Sequence, residues 1–241
     1  MTTGNLTDKT VVIIGGTAGI GLATAVAASE AGAKVWVAGR SQTNLDKARS
    51  VAKGRFQVVQ ADTHDAGALK ALFGQAGPID HLVSAAIGGE RTVKPFLEQT
   101  EEQFKAAFDK LWGYAKVVRC AAPSLHSGSS VTLVSGSPAR KIRPAQSALS
   151  CVGGAVENLV RCLAVEMAPI RVNVVSPGTV DTAMFDWMGS DKAMRLSEMT
   201  KTHLIKRAGR PEEVAAGILF VMQNEFVTGT TVDVDGGRIL S

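Results

Sequence analysis

The chain of 241 residues is 45% hydrophobic, enough to bury a sizeable core, and residues 1–241 are expected to form one domain. Its formal net charge of +4 comes from basic residues dispersed without interleaved aromatics, which argues against a nucleic-acid partner and is met as well by an anionic small molecule. Cys120, Cys151 and Cys162 form no CxxC pair and are expected to be free buried thiols, while His64, His81, His126 and His203 lack ligand spacing and read as ordinary surface or half-buried histidines, so no metal is expected.

Residues 1–10 carry one lysine and no apolar run, so neither a secretory nor a transit peptide is expected, and the protein is expected in the cytoplasm. Later apolar stretches such as 11–14 and 172–175 have only strand length, far below the ~20 residues that span a bilayer, so no membrane contact is expected. Strands are predicted at 10–14, 34–38, 56–60, 81–85, 131–135, 172–176 and 231–234, with helix-length segments between them. Their Val- and Ile-rich runs are mostly continuous rather than alternating, as a parallel sheet covered on both faces requires. Alternating strands and helices then predict an α/β fold, a doubly wound, mostly parallel sheet of about seven strands. Thr100 with Gln103 has the pattern of a capping box, and Pro211 before Glu212 and Glu213 suits a first helical turn.

Directly after the first strand comes Gly15-Gly16-Thr17-Ala18-Gly19-Ile20-Gly21, opening an alanine-rich segment that runs to Gly32. Glycines here permit a tight turn and close backbone approach to a pyrophosphate, and the helix N-terminus favours its charge. Strand, turn, helix and second strand follow in the order of a dinucleotide-binding unit. The second strand ends in Gly39-Arg40, where NAD-binding proteins usually place an acidic residue for the ribose hydroxyls. Gly39 cannot supply that carboxylate, and Arg40 suits a 2'-phosphate, so NADP(H) is expected in preference to NAD(H).

The spacing of Gly15, Gly19 and Gly21 resembles that of the short-chain dehydrogenase/reductase family, and the likeness extends over nearly the whole chain. Asp62 follows the third strand, where the family places an aspartate near the adenine. The run from Asn173 through Pro177 and Gly178, then Val180 and Thr182, resembles its sixth-strand nicotinamide segment. Residues 207–214 and 234–237 resemble its C-terminal signatures, and Ser84-Ala85-Ala86-Ile87 stands where the family usually has Asn-Asn-Ala-Gly. The resemblance implies a cofactor site of Gly15, Thr17, Ala18, Gly19, Ile20, Gly21, Gly39, Arg40, Asp62, Ser84, Ala85, Ala86, Lys110, Pro177, Gly178, Val180 and Thr182.

The family's catalytic set is matched far less well. It comprises a serine after the fifth strand, a Tyr-x-x-x-Lys on the next helix and an asparagine on the preceding one. The corresponding positions hold Gly136, Leu149, Gly153 and Lys110; Tyr114 is the only tyrosine, and no lysine lies between Lys141 and Lys192. Substitutes are available in Ser135, Ser137 and Lys110, the last as a relocated lysine that binds ribose. Arg140, Lys141 and Arg143 in the following loop read as solvated. Gly153 and Gly154 have two readings: close packing at a subunit interface, or room for a ligand or a side chain from elsewhere. The resemblance implies an NADP(H)-dependent oxidoreductase for a small, apolar carbonyl or alcohol with a non-standard active site, or else a non-catalytic NADP(H)-binding sensor or partner subunit. It further implies a substrate lid near 183–206, and a homodimer or homotetramer built on the segments 107–122 and 148–164.

Overall fold

The structure, a computed structural model, describes residues 6–89 and 91–241. Residues 1–5, half of the stretch read for a leader, lie outside the described residues. Seven parallel strands form one sheet in the order β3-β2-β1-β4-β5-β6-β7. They are β1 Thr10–Ile14, β2 Lys34–Gly39, β3 Phe56–Gln60, β4 Ile79–Ser84, β5 Leu125–Val134, β6 Arg171–Pro177 and β7 Thr231–Val234. The expected strands are all present. Only β5 is much longer than expected, because the polar run 126–130 hides its first half. Ser129 Oγ donates to Ile79 O at 2.6 Å and accepts from His126 N at 2.9 Å, carrying the ladder through a register shift.

Successive residues of β1 point to opposite faces, and each face is covered. Val12 and Ile14 join one core with Leu69, Phe73, Val117 and Val156, from α3 Ala66–Ala76, α5 Asp109–Ala121 and α6 Ser147–Glu166. Val11 and Ile13 join the other with Ala25, Ala52 and Ile218, from α1 Gly19–Glu30, α2 Gln42–Ala52 and α8 Pro211–Gln223. This two-sided burial is why the strands are continuously apolar. Thr100 and Gln103 form the capping box that starts α4 Glu101–Ala107, with both bonds at 3.2 Å. α7 Lys192–Thr200 precedes α8, whose first turn holds Pro211, and Glu213 accepts from Arg210 N at 2.7 Å.

Two expectations from composition need correction. Cys151 and Cys162 lie on the exposed side of α6, and only Cys120 is buried, because the helix presents just one face to the sheet. The strand-length limit on apolar stretches also fails at α6, whose 20 residues have the length and composition of a membrane span. In this fold α6 buries Leu149, Val152, Val156 and Val160 against the protein and keeps Glu157 tied to Arg140, as a helix of a folded core does.

Candidate functional site

The sheet reverses its winding between β1 and β4, and the turns leaving their carboxyl ends open a crevice there. A groove of about 420 Å³ occupies this place. Its floor is bare backbone by necessity. Gly15 has φ +80°, and a Cβ there would lie 2.5 Å from Ala86 N. A Cβ on Gly21 would lie 2.1 Å from Gly15 O, and one on Gly39 2.2 Å from Thr17 Oγ1. α1 starts at this floor with no side-chain cap and no acidic residue in its first turn, so its orphan amides are available to an anion.

Of the residues singled out by sequence, Gly15, Thr17, Ala18, Gly19, Ile20, Gly21, Gly39, Arg40, Ala85, Ala86 and Thr182 line this groove. Ser41, Thr63, Gly88 and Arg91 line it as well and were not singled out, although the first three adjoin or nearly adjoin flagged positions. Arg40 keeps an exposed side chain at one end, donating to Gly88 O at 3.2 Å and facing Asp62 Oδ2 at 3.7 Å.

Six expected residues stand behind the walls. Asp62 accepts from His64 N at 2.9 Å and stabilises its own turn, leaving the wall to Ala61 and Thr63. Ser84 is fully buried, its hydroxyl without a partner. Gly178, after Pro177 at the end of β6, is pressed by the C-terminal loop, so a Cβ there would lie 2.6 Å from Asp235 O. Val180 is buried and bridges to Gly209. Lys110 sits immediately behind Gly88, whose Cβ would meet its backbone at 2.7 Å.

Behind the groove wall at Gly88, the Lys110 side chain is enclosed by neighbouring groups. Its ammonium donates to Ser135 O at 3.2 Å and lies 5.5 Å from the Tyr114 ring. Burial, reinforced by the nearby Arg91 charge, lowers the Lys110 pKa to about 7. Tyr114 donates to Ala86 O or Val134 O, at 3.1 and 3.0 Å, and burial raises its pKa well above the ordinary phenol value. It therefore ties the ends of β4 and β5 together rather than giving up a proton.

The remaining expected positions surround α6. Leu149 and Gly153 lie on its buried face. The space over Gly153 is taken by the Ala139 side chain from elsewhere in the chain, whose Cβ would stand 2.9 Å from an added Cβ, and not by a subunit contact or a ligand. Gly154 meets nothing within 4 Å. Ser135 donates its hydroxyl to Gly153 O at 3.2 Å, and Ser137 is fully buried, its hydroxyl without a partner. A Cβ on Gly136 would meet only Pro138, at 3.5 Å.

Two further readings are corrected by the geometry. Arg140 is not solvated: it bonds Glu157 Oε1 at 3.2 Å and grips both carboxylate oxygens of Asp233, fastening the turn after β5 to α6 and β7. His81 and His203 are buried rather than superficial. Burial holds the His81 pKa down at about 4, and its Nδ1 is 2.8 Å from Ser130 Oγ.

A family model described as Enoyl-(Acyl carrier protein) reductase matches residues 15–238. The chain is 34% identical over 255 residues to the short-chain dehydrogenase/reductase malC of Malbranchea aurantiaca, covering 98% of this chain and 96% of that protein. The solved MalC Reductase/Diels-Alderase from Malbranchea aurantiaca superposes with a TM-score of 0.91 at 32% identity, over 100% of both chains. The NADPH-bound short chain oxidoreductase from Pseudomonas aeruginosa PAO1, described as containing an atypical catalytic center, superposes with a TM-score of 0.88 at 29% identity, over 96% of this chain and 98% of that one.

Proposed function

The chain belongs to the short-chain dehydrogenase/reductase family, and on that premise we propose that it is an NADP(H)-dependent oxidoreductase acting on a small, largely apolar carbonyl or alcohol through a non-standard active site. The observation that carries this reading is the groove floor, where Gly15, Gly21 and Gly39 leave no space for a Cβ and the uncapped start of α1 offers its amides. That cradle fits a pyrophosphate. Arg40 would hold the 2'-phosphate, and Ala85, Ala86 and Thr182 would border the nicotinamide half. Bound there, NADP(H) would supply hydride to a carbonyl or take it from an alcohol.

The chain's own contribution is the proton. Neither a hydroxyl at 149 nor an ammonium at 153 is available on α6, since those positions hold Leu149 and Gly153. Lys110, behind the groove wall at Gly88 and with its pKa near neutrality, would be the group that holds or releases a proton at working pH. The NADPH-bound relative with an atypical catalytic centre supports such a rebuilt site on this fold. Met184 and Trp187, both exposed in the 183–206 segment, would present an apolar lid to the substrate. Leu149 itself favours the second reading, NADP(H) binding without turnover.

An assay of NADPH and NADH oxidation over a carbonyl panel separates the two readings. Parent turnover is expected to be slow and NADPH-linked, because a well-placed acid typically contributes about 10² to 10⁴ in rate. Lys110→Met should abolish it. Lys110→Arg should abolish it too while retaining NADPH binding, because a guanidinium keeps its proton at any working pH. NADPH binding without turnover in the parent establishes the second reading, and a parent that binds no NADPH refutes both.

A further inference from the structure

The segments that follow β4, β5, β6 and β7 all leave the carboxyl edge of the parallel sheet, and the charges that three of them carry act on one another there. Arg91 follows β4, lines the groove and donates to Met184 Sδ. Arg143 follows β5, is half-buried, and has no hydrogen bond or ion pair among the described residues. Arg238 follows β7 and is only 7% exposed. One nitrogen of Arg238 donates to Thr179 Oγ1, in the segment after β6, at 3.2 Å, whereas its buried Nε has no partner.

Among the described residues the charges around Arg238 do not balance. Arg143 and Arg91 both repel it, and Asp235 attracts it. Asp235 is already engaged, accepting from Gly237 N at 2.8 Å and Ile239 N at 2.9 Å. His203 adds a second orphan, 2% exposed with a buried and unpartnered Nε2, held below the usual histidine pKa by burial and then by Arg238 and Arg143. A guanidinium stays protonated in a protein, so a nearly buried one among like charges is costly unless an anion completes the site.

We propose that the substrate carries an anionic group of carboxylate size that docks between Arg143 and Arg238, with Arg91 and His203 bordering it. This rests on the oxidoreductase reading and names its substrate class: an apolar body under the lid with an acidic head on the arginines. Guanidinium forks recognise carboxylates by paired, charge-assisted hydrogen bonds. The same docking point would orient the reacting carbon toward the nicotinamide half of the groove.

Isothermal titration with benzoylformate and its methyl ester, with and without NADP+, tests the proposal. The two probes share the ketone and the ring and differ in the charge. The parent should bind the acid at least tenfold more tightly than the ester. Arg143→Gln and Arg238→Gln should remove most of that preference, whereas Arg143→Lys should keep much of it. Should Arg238→Gln fail to fold, Arg143→Gln decides alone. Equal affinities in the parent, or an undiminished preference in Arg143→Gln, would overturn the anion site. NADPH titration of the parent is separate: selective binding of the acid without NADPH binding refutes the oxidoreductase reading and leaves the anion site standing.

Discussion

Replacing Lys110 by methionine should change how stability depends on pH, in a direction set by the structure. Burial, and secondarily Arg91, lower the Lys110 pKa from 10.5 to about 7 in the folded chain. Between those two values the unfolded chain carries the proton and the native one does not, so stability rises with pH across that window. The penalty of the buried charge is complete below about pH 7 and has gone once pH exceeds the unfolded value. At ~1.4 kcal/mol per pH unit, the ceiling between pH 7 and pH 9 is ~3 kcal/mol. Lys110 keeps partial exposure, and water reaching it reduces that ceiling, so a contribution of about 1–3 kcal/mol is expected. Urea unfolding of parent and Lys110→Met at pH 6, 7, 8 and 9 measures it directly, because the other titrating groups cancel in the difference. The parent should gain on the variant as pH rises, and the variant should be the more stable at pH 6. Parallel stability curves would show that the ammonium is not desolvated and would remove the reason for giving it the proton.

Three further outcomes are expected. Arg40→Ala loses a charge-assisted contact of roughly 1.5–3 kcal/mol and should weaken NADPH about tenfold or more with little effect on NADH, as isothermal titration would show; equal losses would take Arg40 off the phosphate. Gly153→Ala and Gly154→Ala should have opposite signs in chemical denaturation. The first drives a Cβ to 2.9 Å from Ala139 Cβ and should cost about 1–3 kcal/mol, while the second, in open space, should gain roughly 0.5–1 kcal/mol of helix stability. Light scattering at micromolar concentration should give a dimer or tetramer, with Trp112 on α5 and Val165 on α6, both exposed in the single chain, covered in the assembly.

The sheet was legible because its causes are local. A strand covered on both faces has to be a continuous apolar run, and each run reads as such without its neighbours. Where polar residues replaced that run, at 126–130, the reading stopped short although the ladder did not. The glycine turn was equally plain, since a positive φ at Gly15, close backbone approach at Gly21 and the Thr17 side chain against Gly39 leave no room for a Cβ. The residues behind the groove walls depend on more than local pattern: position along the chain brings Asp62, Ser84 and Val180 to within a residue or two of the lining, and facing decides which neighbour meets the groove.

What the chemistry around Lys110 amounts to lay outside the reach of a linear reading. That the chain has Lys110 but no Tyr-x-x-x-Lys follows from the sequence; that Lys110 has a pKa near 7 follows from Tyr114, Ser135 and Arg91 closing around it. The glycine at 153 is visible in the sequence, but its partner Ala139 lies 14 residues away and is brought there by the turn after β5. Arg91, Arg143 and Arg238 read as scattered basic residues, because charge is counted along the chain while repulsion acts through space. Local propensity and periodicity determine where elements begin and which face is apolar. Desolvation and the summed field of distant charges exist only once the sheet has brought four separate segments to one edge.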